Sequence, residues 1–381
     1  MTTRADFDAV IVGGGVTGVA IAASLGIAGK RVAVIDRARC GAAGATSLTG
    51  GIVRTYDRDS CITHLAARAI AELRTTAVGR IMQRALLRTG VLHAVPLAEE
   101  GTVKDAISRF SSSTYPMTLL SRDEAIKMTG FVGGAPERLY LWERDGGQAD
   151  AVLAVRSLLA TTRTNGLVLE GHQVQGISGK LGDVQVRLRN GVLRTKIAVI
   201  AAGSWSTLLR TELPIVNHTI PFARFWSPQP LAFPVIDAIA GTYARPLGSS
   251  LVQVGSSVRS YGVPADCIPS PSIHQVNDAY ERFSAMTGWT SSPRSALDAG
   301  VGVDGYSADG RPICGFLNES DGIYVAAAMS GIGYKLAPAI ASIATADVLA
   351  ALSSRTNDEP SVHYLRPNRF VTTAIPAEVQ L

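Results

Sequence analysis

Three glycines at positions 13, 15 and 18, and an aspartate at 36, are the first residues in this chain whose spacing implies chemistry. They lie in FDAVIVGGGVTGVAIAASLGIAGKRVAVID, where the glycines form G-x-G-x-x-G. Gly13 permits a tight turn, Gly15 leaves room for a pyrophosphate, and Gly18 lets a helix pack closely on a strand. The helix start behind them offers unpaired N–H groups and a positive dipole end to phosphates. Asp36 is placed to accept hydrogen bonds from ribose hydroxyls. Arg37 beside it reads either as a contact for a 2'-phosphate or as an exposed arginine. A second glycine-rich stretch, SGIGYKLAP at 330–338, sets Lys335 at the start of an apolar helical run. Glycines there let backbone N–H groups approach a ligand closely. A lysine at a helix N-terminus opposes the dipole, so a mere helix-start role explains it poorly.

The elements that must position these residues are legible nearby. A strand is expected at Asp8 to Val12, a helix to about Gly29, and a second strand at Arg31 to Ile35 closing on Asp36, a β-α-β unit. An antiparallel meander turned at Asn190-Gly191 is expected next, then a buried strand, Ile197 to Ala201, that runs into Gly203 and rejoins the parallel sheet. Apolar spacing predicts a helix through Val152 to Leu159, and Ser121 with Glu124 a capping box for a helix ending near Gly130. Segments 81–145 and 211–300 carry mixed patterns and more aromatics and prolines, which suggests a second, sheet-containing layer inserted into the first.

The 381 residues suffice for two modest domains or one large interleaved unit. A hydrophobic content of 46% with 18% charged residues excludes disorder and fibres. The net charge of +5 is spread along the chain without a basic block, so no nucleic-acid partner is expected. Cys40, Cys61, Cys267 and Cys314 include no C-x-x-C, which suggests neither zinc nor disulfides and fits a reducing cytoplasm. The histidines at 64, 93, 172, 218, 274 and 363 have no metal-like spacing. The apolar N-terminal stretch is interrupted by glycines and preceded by Asp6 and Asp8, and no membrane segment is expected.

Taken in order, these blocks resemble a known family. GAAGATSLTGGIVR follows the dinucleotide motif; DGGQAD, IAVIAAGSWS, SADGRPICG, DGIYVAAAMSGIGYKLAPAI and LRPNRF come after it. Their order and spacing are similar to the FAD-dependent amine and amino-acid oxidoreductases typified by D-amino acid oxidase, glycine oxidase and monomeric sarcosine oxidase. The resemblance implies an α/β fold: a Rossmann-type FAD-binding domain (1–80, 146–210 and 301–381) with an interleaved α+β substrate domain on a mixed or antiparallel sheet (81–145 and 211–300). It implies that Gly13, Gly15, Val16, Thr17 and Gly18 hold the pyrophosphate and Asp36, with Arg37 adjacent, the adenosine ribose. Thr46, Ser47, Gly50, Gly51 and Ile52 would line the flavin, and Val174 would contact adenine. Ala202, Gly203 and Trp205 would border the cofactor, with core packing the other reading of Trp205. Met329, Gly331, Ile332, Gly333, Tyr334 and Lys335 would form the turn beneath the flavin. With no second G-x-G-x-x-G and no GDAAH-like block, FAD is expected as the sole nucleotide.

On the substrate side, the resemblance implies that Arg54 and Lys335 clamp a substrate carboxylate above the flavin. A guanidinium binds a carboxylate in a bidentate way, and the ammonium adds a point charge. Three positions depart from the family pattern. Asp304 stands where some members place a carboxylate-binding arginine, which favours a cationic group nearby. Gln253 stands where a lysine promotes reaction of reduced flavin with oxygen, which leaves the acceptor open between oxygen and another oxidant. Gly302 stands where some members attach flavin to cysteine, with Cys314 too far along to replace it, so FAD is expected to be non-covalent. Arg54, Lys335, Asp304 and Gln253 are thus the catalytic candidates, and Arg224, Trp226, Tyr243, Arg245 and Tyr261 possible pocket walls. The implied reaction is oxidation of a carbon-nitrogen bond in a small amino acid or secondary-amine acid to the imine. The alternatives are 2-hydroxy-acid oxidation and a flavoprotein subunit of a larger complex.

Overall fold

The apolar run FDAVIV forms strand β1 (Phe7–Val12), whose last four residues are buried, and the glycine turn feeds helix α1 (Val16–Ile27). Strand β2 (Val32–Asp36) returns parallel to β1, with Val12 beside Ile35. The computed structural model describes residues 5–131, 137–289, 296–318, 320–357 and 359–370. The expected domain segments also take in 1–4, 132–136, 290–295, 319, 358 and 371–381, which lie outside these.

Around β1 and β2 grows an eight-stranded sheet. Strand Gly191–Ile200 lies parallel to β1 on one side, and Leu167–Glu170 lies parallel to β2 on the other. The meander and the buried strand expected separately are one strand. Gly191 to Thr195 pairs antiparallel with Asp183–Leu188, whereas Ala198 to Ile200 pairs parallel with Ile323–Ala327. The residues change accordingly, from a largely exposed half to a buried one, as the strand passes from the antiparallel meander into the parallel centre of the sheet. Helix Ala151–Asn165 starts on Asp150, which accepts from Leu153 N–H at 2.9 Å, and the Ser121 capping box and the left-handed Gly130 bound helix Arg122–Thr129 as expected.

A second eight-stranded sheet runs in the order 296–307, 215–226, 251–255, 242–246, 235–237, 91–96, 138–143, 117–120. It is antiparallel except where 235–237 meets 91–96. Strand Ala296–Ser307 belongs wholly to it and continues past residue 300, the expected boundary. A small sheet of Ile52–Val53, Gly147–Ala149 and Leu86–Leu87 lies at the junction. Helix Gly333–Leu352 is long and apolar enough to cross a membrane, yet most of it is buried against α1 and helix Ser60–Thr75.

One tight joint lies between α1 and the turn that precedes it. A Cβ at Gly18 would lie 2.1 Å from the Gly13 carbonyl oxygen, which belongs to rigid backbone. Gly18→Ala is therefore expected to destabilise the fold by about 1–3 kcal/mol, read as a lower urea midpoint at constant slope.

Candidate active site

A cavity of about 880 Å³ runs from the N-terminus of α1 to the face of the second sheet. That lies at the upper end of ligand-site volumes. At its α1 end, Gly13 has φ 117°, and a Cβ there would meet the Ala201 carbonyl oxygen at 2.3 Å. Gly14 N–H donates to Asp36 Oδ2 at 2.6 Å and Val16 N–H to Thr46 Oγ1 at 3.1 Å. Gly15 and Thr17 N–H groups have no acceptor among the described residues and open on the cavity. These are the orphan donors that a helix start turns toward an anion. Asp36 also accepts from Ala38 N–H at 2.7 Å, so its carboxylate is oriented by backbone on one side and faces the cavity on the other. Burial pushes its carboxyl up.

Val16, Thr46, Gly50, Gly51, Ile52, Val174, Ala202 and Gly203 all line the cavity. Gly18 lies beneath the turn, as close helix-strand packing requires. Ser47 is a correction, since it is not on the wall and its hydroxyl turns back to donate to the Gly44 carbonyl at 3.0 Å. Trp205 is at the rim, not in the core. Its Nε1–H donates to Asp266 Oδ1 at 2.7 Å, and Arg37 Nη1 reaches the same oxygen at 2.5 Å, with the guanidinium 5.2 Å from the indole centroid. Arg37 is thus engaged with Asp266 rather than free for a phosphate.

At the other end, the turn before helix Gly333–Leu352 adopts left-handed backbone at Ala328 (φ 53°), Ser330 (φ 48°) and Gly331 (φ 79°). Such conformations cost energy at non-glycine residues and mark a constrained segment. Ser330 N–H donates to the Gly305 carbonyl at 3.1 Å, and a Cβ at Gly331 would lie 2.9 Å from Tyr306 Oη. Gly331 and Gly333 N–H groups have no acceptor among the described residues. Met329, Ile332, Tyr334 and Lys335 share this wall.

Arg54 and Lys335 do converge, but on a carboxylate of the chain itself. Lys335, only 4% exposed, places Nζ 3.0 Å from Asp57 Oδ2. Arg54 Nη1 is 3.2 Å from the same oxygen and also donates to the Tyr56 carbonyl. The expected open clamp is therefore corrected to a shared ion group, with Nε and Nη2 of Arg54 left without a protein acceptor among the described residues. Burial and the Arg54 charge bring Lys335 down to about 8, against the opposing pull of Asp57. The two cations hold Asp57 far below the usual carboxylate range despite its burial.

Glu143 fixes the loop that carries Arg54 and Asp57. Fully buried, it accepts from Thr55 N–H at 2.6 Å, Tyr56 N–H at 2.9 Å and Tyr115 OH at 2.6 Å. His93 Nε2 lies 2.9 Å from Glu143 Oε1 but is poorly aligned for a hydrogen bond, and burial pushes its pKa down, toward neutral imidazole. Sequence reasoning missed Asp57, Glu143 and His93. The i, i+3 spacing of Arg54 and Asp57 was the available signal for one of them.

On the second-sheet wall, Gly302, Asp304 and Tyr306 face the cavity at alternate positions of one strand. Gln253 is a correction: it is fully buried, off the cavity wall, and donates through Nε2 to Tyr243 OH at 3.0 Å. Tyr243 is the wall residue, packed between Gly50 and Gly255. Arg245 lies behind it and donates to the Gly50 carbonyl at 3.1 Å. Trp226 and Tyr261 are exposed and Arg224 pairs with Asp298 at 3.0 Å, and none of the three lines the cavity. Cys314 is buried against Tyr324 OH at 3.1 Å, away from the wall.

Because Asp57 supports the charge of Lys335, Asp57→Asn is expected to lower the lysine pKa further, by about one unit. Affinity for a simple carboxylate ligand, measured against pH, should then decline at a lower pH than in the parent protein. An unmoved alkaline limit would remove Lys335 from the binding of anions.

Comparisons with known proteins place the chain in a family. The model of the FAD dependent oxidoreductase family matches residues 8–346. Glycine oxidase of Geobacillus kaustophilus (strain HTA426) is 23% identical over 364 residues, covering 89% of this chain and 91% of that protein. Glycine oxidase of Bacillus licheniformis is 25% identical over 368 residues, covering 88% and 91%. The structure of L-proline dehydrogenase from P. horikoshii superposes with a TM-score of 0.82 at 20% identity, over 97% of this chain and 99% of that one, which speaks to the fold alone. The open N–H donors at Gly15 and Thr17, the Asp36 carboxylate at the end of β2 and the glycine-lined cavity fit a dinucleotide such as FAD. With the family match spanning both sheets and every wall of that cavity, the chain belongs to the FAD-dependent oxidoreductases of the D-amino acid oxidase type.

Proposed function

We propose that this protein oxidises the carbon-nitrogen bond of a small amino acid or secondary-amine acid to the imine, which water then hydrolyses. The observation that carries the reading is the meeting of Arg54 and Lys335 at the cavity wall beside the Gly331–Gly333 turn. Glycine oxidases among the relatives support the substrate class by name. FAD, when bound, supplies the redox chemistry by accepting two electrons as a hydride from the carbon next to nitrogen.

The chain's own residues do the rest. The free guanidinium edge of Arg54 binds and orients the substrate carboxylate, while Asp57 keeps that guanidinium from swinging and keeps Lys335 charged. Gly331 and Gly333 N–H groups, with the positive end of the helix behind them, stabilise negative charge that develops beside the turn. No cysteine stands on the cavity wall among the described residues, which supports FAD held without a covalent bond. The cofactor segments would be 1–80, 146–210 and 308–381, with the substrate layer in 81–145 and 211–307, because strand Ala296–Ser307 stays in the second sheet. Reoxidation is by oxygen or another acceptor, and the four unpaired cysteines support a reducing cytoplasm.

Anaerobic mixing of the holoenzyme with panels of amino acids, secondary-amine acids and matched 2-hydroxy acids tests the reading. Bleaching of the FAD spectrum by nitrogen compounds is expected; bleaching by hydroxy acids alone would overturn it, and bleaching by nothing would point to a binding role in a larger complex. Lys335→Met should retain FAD and bind a carboxylate ligand about tenfold more weakly, or about 1.4 kcal/mol. Unchanged affinity would return Lys335 to an ordinary helix start.

A further inference from the structure

The cavity wall holds five carboxylates among the described residues, and four have partners. Asp36 accepts from Gly14 and Ala38 N–H groups, and Asp57 is shared by Arg54 and Lys335. Glu99 accepts from Tyr56 OH at 2.8 Å and pairs with Arg58 at 2.6 Å. Asp237 pairs with Arg138 at 2.8 Å and caps Ile239 and Ala240 N–H groups. Asp304 alone receives no hydrogen bond and no ion pair among the described residues.

Its surroundings are those of a binding wall. It lies between Gly302 and Tyr306 on the cavity face of its strand, and a Cβ at Gly331 would stand 3.7 Å from its Oδ2. The carboxylate is therefore beside the turn that lies against the cofactor. His218, its cross-strand neighbour, stacks on Tyr306 at 4.2 Å and is pushed toward neutrality by burial and by Arg259. Tyr243 flanks it from the same sheet. The cation that acts on it is Arg259, an exposed residue on the cavity wall, and not Arg54 or Lys335. Burial raises Asp304 to about 6, so it is mostly ionised at neutral pH. A half-buried carboxylate that gives up part of its water without gaining a donor is costly until a ligand provides one.

We propose that Asp304 is a specificity-determining residue that anchors a second, non-reacting cationic group of the substrate, so that the preferred substrates are amino acids with an ammonium or guanidinium side chain. This rests on the carbon-nitrogen oxidation proposed above. The reacting nitrogen must give up its proton so that its lone pair assists loss of the hydride, and a carboxylate held against it as an ion pair would keep it protonated. The nitrogen that suits Asp304 is therefore one that stays charged throughout. Arg54 takes the carboxylate, Asp304 takes the distal cation, and the carbon to be oxidised lies between these two contacts.

The test uses the FAD-loaded protein and two probes that have no α-amino group to oxidise, 5-aminopentanoate and pentanoate, measured by calorimetry at pH 7.5. The expected result is that 5-aminopentanoate binds at least tenfold more tightly and that Asp304→Asn leaves it no tighter than pentanoate. Equal affinities in the parent protein, or a preference that survives Asp304→Asn, would overturn the proposal. If Asp304→Asn does not fold, the parent comparison still decides, and the preference should fade below about pH 6 as the carboxylate takes up a proton. Since the test reads binding under anaerobic conditions rather than turnover, a failure of the oxidation reading shows separately, as an FAD spectrum that no amino acid bleaches.

Discussion

The site depends on keeping a lysine charged where there is almost no water. An ammonium buried without a partner would be neutral or would disrupt the fold. Asp57 prevents this for Lys335, and it can do so because its loop is held from behind by Glu143. Glu143 ends strand Arg138–Glu143 and His93 lies on Val91–Pro96, both in the second sheet, whereas Lys335 begins a helix packed on the first. The Lys335–Asp57 ion pair and the backbone hydrogen bonds to Glu143 therefore tie the helix packed on the first sheet to the second sheet. Removing Asp57 would leave both Arg54 and Lys335 without their carboxylate, which is a larger penalty than the net worth of either pair.

The two halves of the cavity solve different problems. At the α1 end the ligand is met by backbone: open N–H groups, glycines where a Cβ would strike a carbonyl, and one oriented carboxylate in Asp36. Such a site is indifferent to side-chain changes around it but intolerant at Gly13 and Gly18. At the other end the wall is made of side chains, Arg54 and Lys335 from a loop and a helix on one side and Asp304, Tyr306 and Tyr243 from the second sheet on the other. The turn from Ala328 to Gly333 stands between them, and the hydrogen bond from Ser330 to Gly305 holds its left-handed backbone in place.

What could be read from the sequence follows the range of the interactions. The β-α-β unit, its glycines and the Ser121 cap were legible because their causes lie within a few residues of one another. Arg54 and Asp57 are also neighbours, yet nothing local shows that their shared partner is Lys335, 278 residues after Asp57. Gln253 was misplaced because the strand Leu251–Gly255 is buried on both faces, so no alternation tells which side chain looks into the cavity. Ser47 sits in a four-residue helix where one step decides between cavity and backbone. Trp205 had the aromatic character of a core residue, and its place at the rim depends on Asp266, which is 61 residues away.

The central claim is that a carbon-nitrogen bond is oxidised, and the most direct measurement is the fate of the nitrogen in one anaerobic turnover. With an open-chain substrate that bleaches the FAD, the account predicts one equivalent of ammonia or primary amine released per FAD reduced, together with one equivalent of the oxo product after hydrolysis. Stoichiometric FAD reduction with the nitrogen still attached to the product carbon would contradict it.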